Sequence, residues 1–117
     1  MTTPFDPTGL PALSVIGTPG KRSAILEFAA EADRRGFAGL ASPGVHGNLA
    51  LCGSLAHVTS RIPFWTSIQP IYHGHPTEVA ITAGHLFEVS GGRFRLGLGV
   101  SHAPAMERLG IDTGRPL

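Results

Sequence analysis

The stretch SGGRFRLGLGVSHAP, Ser90 to Pro104, decides the fold. It sets Gly97 and Gly99 inside a run of strand-forming residues, where glycine costs backbone entropy and offers nothing to pack. A dinucleotide-binding fingerprint needs its glycines after the strand, in the turn that opens a helix, early in the first βαβ unit. Here they fall within a strand spanning 93–100, and three helical patterns precede it. Period-two alternation puts Phe94, Leu96, Leu98 and Val100 on one face and Arg95, Gly97, Gly99 and Ser101 on the other. In a barrel the apolar set packs under helices and the glycines look inward. There they serve either the approach of a ligand or relief of crowding at the axis.

Upstream, the chain alternates strand and helix. ALSVIG (12–17) is a short apolar strand, and a helix follows from about Lys21 to Arg35. Ile25, Phe28, Ala29 and Ala32 mark its buried stripe, Glu31 and Arg35 are spaced for an i,i+4 pair, and Gly36 stops it. FAGLAS (37–42) is the second strand. Asn48 is the predicted cap of a second helix running from Leu49 to about Thr59. RIPFWTSIQPIY (61–72) is the third strand, with Pro63 and Pro70 limiting its pairing. Pro76 opens a third helix that runs to about Val89, and APAMERLG (103–110) begins a further helical segment.

Strands that begin near residues 13, 38, 62 and 94 and alternate with helices must be mostly parallel, joined by right-handed crossovers. Their pitch matches that of an eight-unit barrel of about 250 residues. The expected fold is therefore α/β, the first half, about four βα units, of a TIM-type (β/α)8 barrel. Residues 1–117 form one apparently incomplete domain with two parallel edges to cover.

Bulk composition excludes several classes. The 42% hydrophobic and 15% charged residues suit a folded domain. A net charge of +1, with no basic run longer than Arg34-Arg35, gives no footprint for nucleic acid or an anionic membrane. The single cysteine, Cys52, excludes an internal disulfide framework and fits a reducing compartment. With no signal-peptide pattern and no span of about 18 apolar residues, a soluble, cytoplasmic protein is expected.

The segments AAEADRRGFAGL (29–40), LAHVTSRIPFWTSIQPIYHGHPTEVAITAGHLFEVSGGRFRLGLGVS (55–101) and ERLG (107–110) resemble the bacterial-luciferase-like oxidoreductase superfamily. The nearest flavour is its deazaflavin branch, of the methylene-tetrahydromethanopterin reductase type. The similarity runs from about Lys21 onward, with the helix followed by SGGR-x-x-LGLG its most specific piece. The resemblance implies a (β/α)8 barrel that binds FMN or coenzyme F-420 at the carboxyl ends of its strands. It implies hydride transfer or monooxygenation on a small organic substrate, with the missing half supplying phosphate and substrate contacts. A chain of this length is then inactive alone, and a second copy or a complementary C-terminal half barrel would close it.

Residue by residue, the resemblance implies a non-prolyl cis peptide at Ser67–Ile68 supporting the ring. It carries cofactor contacts onto Val100, Ser101 and His102, whose backbone N–H groups and imidazole suit a ring that gains negative charge, and Gly97 and Gly99 are the strand positions where that cofactor is expected to come close. Branch members end strand two with an Asp-His or similar polar pair, where this chain has Gly44-Val45. His46, one residue further on, takes the catalytic position if the loop shifts.

Six histidines also raise a metal-dependent barrel hydrolase, with His73-x-His75 and His46 holding zinc. Such sites need a carboxylate, and none lies between Asp33 and Glu78, so no metal is expected. A third possibility is a non-catalytic fragment that acts as an assembly partner. His57 and His85 fall in helices, His75 is placed to cap the third helix, and Cys52 is expected to be buried.

Overall fold

The computed structural model describes residues 9–44, 46–100 and 103–112. Its elements are β1 (Ala12–Ser14), α1 (Arg22–Arg34), β2 (Gly39–Ser42), α2 (Asn48–Val58), β3 (Phe64–Thr66), β4 (Gln69–Pro70), α3 (Pro76–Val89), β5 (Phe94–Arg95), β6 (Leu98–Gly99) and α4 (Ala103–Arg108). A 3₁₀ turn at Ile71–His73 follows β4. β1, β2, β3 and β5 form one sheet in that order, and every pairing is parallel. Each crossover carries a helix, as a parallel sheet demands. Four βα units in sequence make this an α/β half barrel, the fold that the strand spacing predicts.

Two expected strands are each broken in two. The third becomes β3 and β4, and the fourth becomes β5 and β6, with β4 and β6 pairing as a separate two-stranded ladder. The register explains the break. Phe64 stands opposite Phe94, whereas Gln69 stands opposite Leu98, so five positions on one strand face four on the other. The extra residue lies in the segment Thr66–Ile68, a bulge in the sense that one strand carries a residue its partner does not match. The first strand is also shorter than expected, ending at Ser14.

Leu40, Phe64 and Phe94 occupy one row across β2, β3 and β5, and all three are buried. The two phenylalanine rings lie 5.6 Å apart at a tilt of 48°. Val15 from the β1 side, Ile62 before β3, and Ala29, Ala32, Leu51, Cys52, Leu55, Ala56 and Leu86 from the helices complete the core. Burying each large side chain contributes about 1.5–3 kcal/mol. On the neighbouring row Trp65 lies across Gly39, where a Cβ would come within 2.3 Å of the indole. Only glycine at 39 lets that ring lie flat on β2.

α1 differs from its expected stripe. Ala29 and Ala32 are buried, and Ile25 packs against the core, but Phe28 is 46% exposed. Asp33 and Leu26 take its place on the inner side. Backbone N–H groups of Ser60, Arg61 and Ile62 draw the Asp33 carboxylate inward, which rotates the inner face of the helix toward α2. Glu31 makes the expected pair with Arg35 at 2.7 Å and a second with Arg34. Gly36 stops α1 with φ +79°.

The expected alternation of 93–100 also holds only in part. Phe94 is buried and Leu96 packs on the core, but Leu98 and Val100 are 54% and 68% exposed. The chain steps from one ladder to the other between β5 and β6, and α3 packs on β5, so the helical cover ends before Leu98.

Candidate functional site

Polarity divides the sheet into two ends. At the amino ends of the strands Asp33 and Arg93 tie elements together. At the carboxyl ends, where sites form on barrels, β2, β3, β4 and β6 bring their termini to one place.

The centre of that place is Ser67 and Ile68, joined by a cis peptide bond. The Ser67 N–H donates to the Ser42 carbonyl of β2 at 2.8 Å, and the Gln69 N–H donates to the Gly97 carbonyl at 2.7 Å. The segment is thus hung between its two neighbours. Thr66 binds Gly97 twice: its hydroxyl donates to the Gly97 carbonyl and accepts the Gly97 N–H, both at 2.8 Å. Ser67 is exposed, Ile68 is half-buried, and Gln69 is buried beneath them.

The glycines find their explanation in this crossing. A Cβ on Gly97 would stand 2.1 Å from the Thr66 carbonyl oxygen. On Gly99 it would stand 2.8 Å from Ile68 Cγ1. Both glycines admit a neighbouring strand, and Ile68 covers Gly99. The Gly97 N–H and carbonyl are themselves taken up by Thr66 and Gln69.

Gly44, after β2, is as crowded. Its Cβ would come within 2.5 Å of the Ile68 carbonyl oxygen and 2.7 Å of Pro70 Cδ. Sequence reasoning missed this constraint and gave Asn48 a different task. Gly47, with φ +82°, precedes α2 and provides no side-chain cap, and Asn48 is the first helical residue. Its side chain, 5% exposed, accepts from the Ser42 hydroxyl at 2.5 Å and donates from Nδ2 to the Ile68 carbonyl at 3.1 Å. The local signal reads as a cap, because the partner lies twenty residues away.

His46 lies elsewhere. It lines a groove of about 280 Å³ between α1 and α2 with Arg22, Leu26, Gly47, Ala50, Leu51 and Ser54. Its backbone carbonyl faces Gly17, after β1. Ser101 and His102 lie outside the described residues, and Val100 is the last described position before them. His75 accepts from the Thr77 N–H at 3.1 Å and caps α3 ahead of Pro76. Among the described residues no group of three His, Cys, Asp or Glu side chains could hold a metal ion, so His46, His73 and His75 do not assemble the hydrolase site.

Among the described residues, the side chains exposed at these strand ends include Ser67, Leu98 and Val100. Ile68, Leu98 and Val100 offer partly open apolar area and Ser67 an exposed hydroxyl, with the half-buried Gly97 and Gly99 beside them. Such a surface fits the flat face of a fused aromatic ring, which needs apolar contact and a few main-chain groups. It does not fit a phosphate. Arg93 spends all five N–H groups on protein oxygens at the other end of the strands, and Arg95 bonds the carbonyls of Gly92 and Phe94.

Comparison with known proteins agrees with the fold. The oxygenating constituent of 3,6-diketocamphane monooxygenase from Pseudomonas putida, solved with FMN, superposes with a TM-score of 0.73 at 19% identity over 87% of this chain and 33% of that one. The coenzyme F-420-dependent tetrahydromethanopterin reductase of Methanopyrus kandleri gives 0.70 at 22% identity, over 90% and 31%. Monooxygenase RslO1 from Streptomyces bottropensis gives 0.67 at 19%, over 87% and 37%. The chain spans about a third of the length of these solved structures. No curated protein matches it. Among the described residues no helix is long and apolar enough to cross a membrane. The family model for luciferase-like monooxygenases matches residues 5–117, and the chain belongs to that family.

Proposed function

We propose that this chain supplies the ring-seating part of a flavin- or deazaflavin-dependent oxidoreductase acting on a small organic substrate. FMN or coenzyme F-420, once bound, would supply the hydride-carrying ring for hydride transfer or monooxygenation. The ring rests on Ser67, Ile68 and Val100, with the backbone of Gly97 and Gly99 beside it. Ser101 and His102, next in sequence, serve its pyrimidine side. His46 lines the separate groove between α1 and α2 and takes no part in this reading.

One observation carries the proposal. Ser67 and Ile68 are held from β2 and α2 at the carboxyl ends of the strands, next to the exposed apolar side chains of Leu98 and Val100. A preorganised, apolar platform suits a neutral ring, because rigid groups need no reordering on binding. Phosphate and substrate contacts come from residues beyond this chain, and a second copy or a complementary half barrel meets the open edges at β1 and β5. The activity belongs to that assembly.

Fluorescence titration of the folded chain with FMN, and separately with coenzyme F-420, tests the reading. Saturable quenching by one of them is expected and names the branch. A sample with native far-UV circular dichroism that quenches neither would sink it.

A further inference from the structure

We infer that Asn48 is a positioning residue whose amide sets the Ile68 carbonyl, and with it the platform on which the ring rests. The inference depends on the ring reading above for its purpose, though not for its geometry.

Asn48 is nearly fully buried at the first position of α2, one residue past the cap position, Gly47, from which an asparagine turns back on its own helix. Here it reaches away from the helix. Nδ2 donates to the Ile68 carbonyl at 3.1 Å, and Oδ1 accepts the Ser42 hydroxyl at 2.5 Å. A carbonyl can only accept, so the amide orientation follows from its partners.

Ser42 acts twice in the same relay. Its hydroxyl orients Asn48, while its main-chain carbonyl holds the Ser67 N–H at 2.8 Å. The N–H of Ser67 and the C=O of Ile68 are therefore both set from the end of β2 and the start of α2. Gly44 lets this happen: any side chain there would strike the Ile68 oxygen or Pro70. Removing the amide leaves a carbonyl in a crowded place without that donor, which favours movement of the segment over an unsatisfied group.

The test compares Asn48→Asp, Ser42→Ala and the parent chain. Asn48→Asp keeps volume and the acceptor for Ser42 but puts an oxygen against the Ile68 carbonyl. Ser42→Ala keeps the amide and removes only the group that orients it. Hydrogen exchange read by mass spectrometry should rise about tenfold in the segment 67–70, through the amides of Ser67, Ile68 and Gln69, in Asn48→Asp and about threefold in Ser42→Ala. Protection in α1 and at residues 60–62 should be unchanged. Where the parent binds FMN or coenzyme F-420, Asn48→Asp should weaken that binding about tenfold and displace the visible absorption band of the bound ring.

Unchanged exchange at 67–70 in a folded Asn48→Asp overturns the inference, as does looser exchange with unaltered cofactor affinity and spectrum. If Asn48→Asp does not fold, Ser42→Ala decides by the same exchange readout. A parent chain that binds neither cofactor sinks the ring reading instead, and exchange at 67–70 alone then decides whether Asn48 sets the segment.

Discussion

The Arg93 guanidinium lies 5.4 Å from the centre of the Phe64 ring, and every one of its N–H groups meets an oxygen. Nε donates to the Ser90 carbonyl, Nη1 to the Thr59 hydroxyl and the Ile62 carbonyl, and Nη2 to the Ala56 and Thr59 carbonyls. A partly buried cation thus sits at the C-terminal end of α2, where the helix dipole and its free carbonyls favour positive charge. It joins α2, the approach to β3 and the approach to β5 through one planar group.

Lysine cannot copy that fork, since its ammonium is a point donor without five directed N–H groups. Arg93→Lys should cost about 2–3 kcal/mol and Arg93→Ala about 3–4 kcal/mol of unfolding free energy in urea titration. Cofactor affinity per folded molecule should be unaffected, because the group lies at the opposite end of the strands. A loss below about 0.5 kcal/mol in Arg93→Lys would show that the fork is dispensable.

Asp33 makes the matching tie between α1 and the residues before β3. Burial pushes its carboxyl up, but the N–H groups of Ser60, Ile62 and Arg61 together outweigh that and hold it below its ordinary value. A carboxyl depressed in the folded state stabilises the fold at pH values above its unfolded value, near 4, and that stability is lost as pH falls through the lower folded value. Acid unfolding of the parent should therefore steepen below about pH 4. Asp33→Asn should be less stable near neutrality by about 2 kcal/mol and show a flatter acid limb, read by circular dichroism against pH. An unchanged acid limb would refute the assignment.

Gly97, between β5 and β6, and Gly84, within α3, should answer an alanine in opposite ways. Gly97→Ala drives a methyl into the Thr66 carbonyl at 2.1 Å, backbone that cannot step aside, and should cost about 3 kcal/mol or more. Gly84, within α3, has open space where a methyl would stand, with nothing within 4 Å. Gly84→Ala should stabilise by about 0.5–1 kcal/mol through helix propensity. Thermal unfolding of both variants decides it, and a neutral Gly97→Ala would reopen the ligand reading of that glycine.

Cys52 is buried at the heart of α2, and burial pushes its thiol up to about 12. Only the thiolate reacts with alkylating reagents. Iodoacetamide at pH 8 should label the folded chain about a thousandfold more slowly than the chain in guanidinium. Comparable rates would show that α2 opens readily in the native state.

How much of this was legible beforehand follows from distance along the chain. Strand and helix order, the Gly36 stop and the His75-Pro76 start of α3 depend on residues within one or two turns of each other, and each stands where periodicity and turn chemistry put it. The Ser67–Ile68 cis bond was implied by resemblance, and no local pattern would have announced it.

Other features waited for the folded chain. Asn48 has a cap's sequence context, yet its partners are Ser42 and, twenty residues on, Ile68. Phe28 fits the apolar stripe by spacing, but Asp33 is pulled inward by amides about thirty residues away and turns the helix off it. Gly97 and Gly99 announce a close approach, and only the step between two ladders reveals that β3 and Ile68 make it. The sequence by itself determined the alternating βα order, because hydrophobic period and turn chemistry are local. The tertiary structure decided the register of neighbouring strands, and with it every partner of Asn48, Asp33, Arg93 and the two glycines, because those contacts join residues that no local pattern relates.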